Sequence, residues 1–480
     1  MAEAPTRSQA ARHGRRAWTA LAAMVVAGAC RAPSPPPNVL LVTIDTLRAD
    51  HVGAYGYARA TTPILDRFAE DATLFENAIT PCPATAPALA SLLTGLHPPL
   101  HGVGRNGDRL AAGADTLAEL LAARGYATAA VIANPVIDRH GFDQGFASFE
   151  LPATLARFTP GMFGGEPVAQ AGVGLVASLA EPFFVWLHFM DPHGPYFPPP
   201  RFRALFDPAA YRDGDDASLA VAKTNYGLDL IPSYQQVGGS GVPSEYRARY
   251  DAEIRYVDAL VGRVLAALQR SGRGPRTVVV VTADHGEALG GHHYWFQHGW
   301  FLYDDSVRVP LLVRAPGKLP PGQRVGATVS LVDLTPTILE LAGVPRSAAL
   351  EGHSLLRTAA GGVERPAFAE TPYGNRLSAI RLGSLTYILT PPPPPRERDR
   401  RYRDGWFSYW PRRARQELYD RASDPDEAQD LSTTKTATAR ELRGRLRRWL
   451  AARPPRPSSS TQPPLDPEAQ RRLRALGYAD

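Results

Sequence analysis

Apolar positions in this chain fall into short continuous runs separated by segments of helical period. Continuous apolar runs of strand length are typical of strands buried on both faces of a sheet. Segment 244–270 instead places apolar residues on one face at helical spacing, which predicts a long amphipathic helix. The predicted strands are 38–44, 127–133, 182–190, 277–282 and 309–313, and the predicted shorter helices are 116–123 and 334–341.

This alternation predicts an α/β fold, with a parallel or mixed sheet and helices on both of its faces. After residue 350 the pattern changes to short strands, at 379–381 and 385–389. A proline run and an Arg-rich loop at 396–403 interrupt them. We interpret this loop as a solvated insertion, with contact to an anionic substrate as the alternative.

Acidic residues and histidines directly follow three of the predicted strands. Asp45 follows the first, Asp191 and His193 follow the third, and Asp284 and His285 follow the run TVVVVT. Ligands of such sheets bind beyond the carboxyl ends of the strands, so we expect these side chains to converge. Carboxylates joined by a histidine predict a divalent-metal site, and the imidazole favours Mn or Zn without excluding Ca.

Composition narrows the function classes. Hydrophobic residues make up 44% of the 480 residues, which allows a sizeable core. The net charge is +6, but residues 1–29 contribute half of it, so the remainder is close to neutral and predicts no nucleic-acid binding. The two cysteines, Cys30 and Cys82, exclude a disulfide scaffold and a cysteine-based zinc finger.

The N-terminal residues resemble an export signal. A basic stretch precedes an apolar run at 17–29, which is too short to span a bilayer. We therefore predict a signal peptide at 1–29, a Pro-rich tether at 30–37 and an extracytoplasmic location, in the periplasm or at the cell surface. Small residues before Cys30 resemble a lipobox, so one interpretation is membrane attachment through a lipidated Cys30; the other is an ordinary signal with an incidental cysteine.

Several ordered motifs resemble the sulfatase family of the alkaline phosphatase superfamily. Its opening is similar to NVLLVTIDTLRAD at 38–50, and its signature block is similar to the stretch that ends in SLLTGLHP at 91–98. Its distal motifs resemble DHGE at 284–287, YDDSVRVP at 303–310, and ELYD with DPDE between 417 and 427. The resemblance covers about residues 38–431.

The resemblance implies a large mixed, mostly parallel sheet sandwiched between helices, and a smaller C-terminal antiparallel subdomain. It divides the chain into a catalytic domain at 38–345 and a C-terminal subdomain at 346–431, which leaves a basic helical tail with a Pro-rich linker at 432–480. It also implies one divalent ion (Ca, Mn or Zn), with Asp45, Asp284 and His285 as ligands. Thr46 stands where the family usually has a second acidic ligand.

The largest departure from the family lies at the nucleophile. Sulfatases use a Cys or Ser, oxidised to formylglycine, in a Cys-x-Pro-Ser-Arg pattern. Counting back from Thr94 places Thr85 in this position, with Pro87 two residues later. We predict Thr85 as the nucleophile, activated by contact with the metal. Cys82 lies three residues too early, so we interpret it as a small apolar loop residue, with formylglycine as the alternative.

Two histidines are further catalytic candidates by resemblance. His193 is similar to the family histidine that contacts the anion or leaving group, and His298 stands where many members have a catalytic lysine. The alternative for each is a loop histidine bonded to backbone. Another family lysine has no equivalent, because Asn134 stands in its place. His188 we interpret as structural.

We therefore predict a metal-dependent hydrolase of sulfate or phosphate esters. Its expected partner is an anionic ester, either small or linked to a glycan or lipid. A threonine has one hydroxyl, so its covalent ester must be cleaved by water or passed to an acceptor, which favours phosphorus over sulfur. The alternatives are an extracytoplasmic transferase of phospho-substituents to a lipid or glycan and a non-catalytic anion-binding relic.

Overall fold

A computed structural model describes residues 1, 35–137, 140–152, 164–212, 216–222, 228–373, 376–392 and 415–454. Apart from Met1, the predicted signal peptide lies outside the described residues, as do Cys30, most of the tether, the Arg-rich loop and the Pro-rich tail. Within the described ranges, no helix has the length and apolar character needed to cross a bilayer.

A nine-stranded mixed sheet forms the centre of the fold. Its strands are β1 Asn38–Ile44, β2 Thr73–Ile79, β3 Ala127–Ile132, β4 Ser148–Glu150, β5 Phe183–Phe189, β8 Thr277–Ala283, β11 Arg308–Val309, β12 Leu311–Arg314 and β13 Arg324–Ser330. The order is β11-β2-β12-β8-β1-β5-β3-β4, with β13 also paired to β2. The ladders from β8 through β1, β5 and β3 to β4 are parallel, and β1, β5 and β8 are buried along their whole length.

Two groups of helices cover this sheet. One group packs around the long helix α7 Pro243–Arg270, which begins at a proline. Its other members are α1 Pro63–Glu70, α5 Gly165–Ser178 and α6 Pro200–Arg203. The other surrounds the buried helix α2 and contains α2 Thr85–Thr94, α3 Pro98–His101, α4 Leu117–Ala122, α9 Leu334–Leu341 and α10 Leu355–Ala359. The predicted α/β fold is therefore confirmed.

Local chemistry explains two of the element boundaries. Thr116 forms a capping box with Glu119, which starts α4 one residue after the predicted position. The predicted continuous strand at 309–313 was wrong, because Pro310 divides it into β11 and β12. Proline has no N–H to donate to a ladder and is found at strand interruptions.

A four-stranded antiparallel sheet follows, as predicted, in the order β14-β15-β16-β17. Its strands are β14 Ala367–Glu370, β15 Ser378–Leu382, β16 Leu385–Thr390 and β17 Arg415–Asp420. One set of its side chains packs with Leu302 and Val307, beside the short helix α8 Asp304–Val307. Another set packs with Leu446 and Trp449 of α11 Thr436–Ala451, so this sheet lies between segment 302–307 and the last described helix.

The remaining strands are short pairs near the active-site loops. They are β6 Ala220–Val221 with β7 Leu230–Ile231, and β9 Ala288–Leu289 with β10 Trp295–Gln297.

Candidate active site

The register of the central strands brings the predicted ligands together. Ile44 of β1 pairs with Ala283 of β8, so the next residues, Asp45 and Asp284, emerge side by side. On the other side of β1, the amide of Asp45 donates to the Phe189 carbonyl oxygen over 2.8 Å. Parallel strands end at the same edge of a sheet, so the candidate functional side chains lie together at this edge.

Asp45, Asp284 and His285 form a fully buried cluster suited to one cation, with ligand atoms within 4.8 Å of one another. The Nε2 atom of His285 lies 3.7 Å from Asp45 Oδ1 and 3.6 Å from Asp284 Oδ2. Both carboxylate oxygens lack a hydrogen-bond partner among the described residues. His285 Nδ1 donates to the Gly286 carbonyl over 2.9 Å, which leaves the Nε2 lone pair for a metal. These donors fit a divalent ion.

Neighbouring side chains hold Asp45 in place. Asn134, the residue at the family lysine position, donates its Nδ2 to Asp45 Oδ2 over 2.6 Å. His188 Nε2 lies 3.6 Å from the same oxygen, and its Nδ1 contacts the Thr43 hydroxyl at 2.9 Å. His188, interpreted from the sequence as structural, therefore contacts a candidate ligand. A histidine inside an apolar strand gives no sequence signal for this contact.

The two carboxylates ionise differently. Burial would raise the pKa of Asp45, but the nearby imidazoles of His188, His193 and His285 outweigh burial and lower this pKa well below its usual range. Burial and the charge of Asp45 raise the pKa of Asp284. Without a cation, Asp45 therefore ionises easily, whereas Asp284 resists ionisation.

Thr46 adopts the left-handed region, with φ of 55°, which is uncommon for a β-branched residue. Tyr250 of α7 holds it by donating its hydroxyl to the Thr46 carbonyl over 2.7 Å. The Thr46 amide in turn donates to Asp284 Oδ1 over 3.2 Å. Its hydroxyl is buried and has no hydrogen-bond partner in the described part of the chain, so an oxygen still stands at the family's second acidic position.

Thr85 is the first residue of α2, and this helix is buried along its whole length. Its Oγ1 lies 3.4 Å from His285 Nε2, next to the carboxylate cluster. The helix N-terminus directs positive potential toward this point. Cys82 is also buried, but it precedes the helix by three residues, and its carbonyl accepts a hydrogen bond from Thr80 over 3.1 Å.

Asn106 was missed by the sequence analysis. Its Oδ1 accepts from the Ala86 amide in the first turn of α2 over 2.9 Å. Its Nδ2 is buried and unpartnered among the described residues, so a donor remains available beside Thr85. A single Asn in a loop carries no periodic signal, and only the fold brings it to the helix start.

His193 and His298 lie together beside the cluster. Their ring centroids are 5.2 Å apart, and the ring of His298 lies 4.3 Å from that of His285. Burial lowers the pKa of His298 to about 4 and also lowers that of His193. His298 Nδ1 lies 3.2 Å from Glu287 Oε1, and burial raises the pKa of Glu287 to about 8. Both imidazoles are therefore neutral near pH 7.

Comparisons with known proteins agree with this geometry. The sulfatase family model matches residues 37–344. A sulfatase of Formosa agariphila is 26% identical over 440 residues, which cover 82% of each chain, and mouse steryl-sulfatase is 29% identical over 69% of this chain and 66% of its own.

Solved structures share the fold. A protein in complex with its substrate D-glucosamine-2-N,6-O-disulfate has a TM-score of 0.70 at 20% identity, over 87% of this chain and 98% of that one. The phosphonate monoester hydrolase of Agrobacterium radiobacter has a TM-score of 0.66 at 23% identity, over 87% of this chain and 96% of that one. Because the family model covers well over half of the sequence, this chain belongs to the sulfatase family and is a hydrolase of that family.

Proposed function

We propose that this protein hydrolyses sulfate or phosphate esters by in-line attack of the Thr85 hydroxyl. The observation that carries this proposal is the position of Thr85 Oγ1, 3.4 Å from His285 Nε2 at the start of a buried helix. Asp45, Asp284 and His285 would hold one divalent ion (Ca, Mn or Zn), with the Thr85 hydroxyl as a further ligand. When bound, such an ion lowers the pKa of a coordinated hydroxyl and neutralises charge on the transferring group.

Neutral donors around Thr85 support the binding of a tetrahedral anion. The Nδ2 group of Asn106 supplies an N–H, and the start of α2 adds favourable potential. His193 donates Nδ1 to the Gly194 carbonyl over 2.7 Å, so Nε2 is the ring nitrogen that would take the proton released by the attacking hydroxyl and return it to the leaving oxygen. His298 stands close enough to share this role.

The choice between phosphorus and sulfur follows from the single hydroxyl of threonine. A formylglycine hydrate can expel sulfate by elimination through its second hydroxyl, whereas a threonyl ester must be attacked by water. Phosphoryl groups suit this displacement, with charge spread over the non-bridging oxygens. The relatives are nevertheless named for sulfate esters, and one similar fold holds a sulfated glucosamine, so sulfated sugars belong in the substrate panel.

The deciding experiment compares Thr85→Ala with Cys82→Ala. Both proteins are assayed with an aryl sulfate, a phosphate monoester and a phosphodiester, each with Mn, Zn or Ca. Loss of a nucleophile costs about 10³-fold or more in kcat, so we expect this loss for Thr85→Ala and nearly wild-type rates for Cys82→Ala. The reverse pattern would assign the chemistry to Cys82. No turnover by the wild-type protein on any ester would instead favour the relic.

Transfer to an added alcohol acceptor, in competition with water, would indicate the transferase alternative. We also propose that the protein is exported, on the basis of residues 1–29 and Cys30. Mass spectrometry of the mature N-terminus tests this proposal, since a lipidated Cys30 and a simple signal cleavage differ by the mass of the acyl chains.

A further inference from the structure

An open cavity of about 560 Å³ lies between α6, the segment after it and the first turns of α7. Its apolar wall includes Phe197, which is 42% exposed, and Phe206. Its charged side chains come from α6, the segment after it and α7, and they are Arg203, Asp207, Glu245 and Arg249. Glu245 and Arg249 are four residues apart on α7 and therefore share one face of that helix.

The cavity is close to the candidate active site. Tyr250, the residue after Arg249, donates its hydroxyl to the Thr46 carbonyl over 2.7 Å. Phe197 follows His193 by four residues, and four residues span at most about 14 Å even when fully extended. The cavity is therefore placed to contact a part of the substrate remote from the reacting group.

Two guanidinium groups line this cavity. Neither the Arg203 nor the Arg249 side chain makes a hydrogen bond or an ion pair with another described residue. Arg203 is exposed, whereas Arg249 is half-buried. Burial and the nearby charge of Arg203 lower the pKa of Arg249, while Glu245 and the buried Glu253 oppose this effect. The carboxylates of Asp207 and Glu245 line the same cavity but form no ion pair with either guanidinium group, so an anion that bridges Arg203 and Arg249 would supply the partner that both side chains lack.

We propose that this cavity binds the remote part of the ester substrate, a ring-bearing scaffold with a second anionic group. The ring packs against Phe197 and Phe206, and a carboxylate, sulfate or phosphate is held by Arg203 and Arg249. This inference rests on the proposed function, and it narrows the substrate class from any anionic ester to one with two anionic groups.

A binding experiment tests the cavity independently of turnover. Naphthalene disulfonate, which has an apolar body and two anions, is titrated into the full chain by calorimetry. We expect binding about tenfold or more weaker in the double variant Arg203→Ala/Arg249→Ala. Arg201→Ala is the matched control, because Arg201 lies on the same helix over the Phe202 ring and outside the cavity lining. Equal affinity of the double variant and wild type would overturn the proposal.

A kinetic experiment then connects the cavity to catalysis. Two aryl esters are compared, one uncharged apart from the reacting group and one with a carboxylate on its leaving group. The double variant should raise KM about tenfold for the carboxylated ester only, with kcat unchanged. An equal effect on both esters, or on neither, contradicts the subsite. If wild type hydrolyses neither ester, the proposed function fails, and the titration alone decides whether the cavity binds anions.

Discussion

Asp284 illustrates how one residue can be unfavourable for the fold and necessary for the site. Its Oδ2 is buried with no hydrogen-bond partner in the described ranges, and Asp45 lies beside it. A buried carboxylate without a counter-charge costs several kcal/mol unless it is neutralised by a proton or a cation. This arrangement is explained by the metal that the two carboxylates and His285 can bind.

The first prediction concerns Asp284→Asn. In metal-free protein the substitution should raise the unfolding temperature, because it removes a buried carboxyl group whose ionisation beside Asp45 is unfavourable. The same variant should lose the increase in unfolding temperature that added Mn or Zn gives to wild type, since ligand binding stabilises only a protein that retains the site. Differential scanning fluorimetry with chelator and with metal measures both effects.

Asp305→Asn serves as the control for this prediction. Asp305 is a nearby, half-buried carboxylate, and burial raises its pKa to about 6. It interacts with Arg48 and does not belong to the metal cluster. Its variant should keep the metal-dependent shift. A metal response retained by Asp284→Asn would remove Asp284 from the ligand set.

At the scale of elements, α2 is fixed at both of its ends. Its first turn carries Thr85 and contacts Asn106. Past its last turn, Gly95 adopts φ of 66°, which suits the glycine that commonly ends a helix. The amide of His97 then donates to Glu351 Oε2 over 2.9 Å, and its Nδ1 donates to the same oxygen over 2.8 Å. Helix α2 is therefore anchored to a loop distant in sequence.

The second prediction follows from Glu351. Burial would raise its pKa, but the hydrogen bonds from His97 and the charge of Arg453 lower it from 4.5 to about 2. A lowered pKa in the folded state stabilises the protein above the unfolded value, and this contribution is lost as the pH falls toward the folded value. Glu351→Ala should therefore cost about 1–3 kcal/mol at pH 7.

The difference between Glu351→Ala and wild type should shrink as the pH falls from about 4.5 toward 2. Urea unfolding at pH 7 and at pH 3.5 measures it, with Glu441→Ala as an exposed control on α11. A cost that is independent of pH would show that packing, and not the charge of Glu351, anchors the end of α2.

Across the whole molecule, a buried ion cluster connects the C-terminal sheet to loop 298–304. Arg381 of β15 is 1% exposed and pairs with Asp304 at the start of α8. It also lies 3.4 Å from Glu427 and donates to the Leu302 carbonyl over 3.3 Å. Arg421 lies 3.3 Å from the same Asp304 carboxylate. The C-terminal sheet therefore fixes the position of loop 298–304, which begins at His298.

The third prediction is that Arg381→Met destabilises the protein by about 3–5 kcal/mol, because it leaves the buried Glu427 carboxylate without its guanidinium partner and removes one of the partners of Asp304. Arg445→Met is the matched control: Arg445 pairs with Glu441 on the exposed face of α11, and such pairs contribute about 0.5 kcal/mol or less. Urea unfolding followed by far-UV circular dichroism compares the two variants. Similar losses in both would contradict a structural role for the buried cluster.

The elements that the sequence predicted share a simple pattern. β1, β5 and β8 are buried on both faces, so their residues are continuously apolar, and α7 has a clear apolar stripe. β13 alternates between exposed and buried positions and includes two small residues, Gly326 and Ala327, and it was missed. α5 was also missed, because its three glycines lower its helix propensity.

The sequence by itself determined the α/β class, the position of the ligand-bearing strand ends and the candidates Asp45, Thr85, Asp284, His285, His193 and His298. These depend on local patterns and motif spacing, which a linear chain displays directly. Only the tertiary structure decided that Asn134 and His188 hold Asp45, that Asn106 lies beside Thr85, and that Arg203 and Arg249 face one cavity. Those relations join residues far apart in the chain, and they arise from strand register and helix packing, which no single segment encodes.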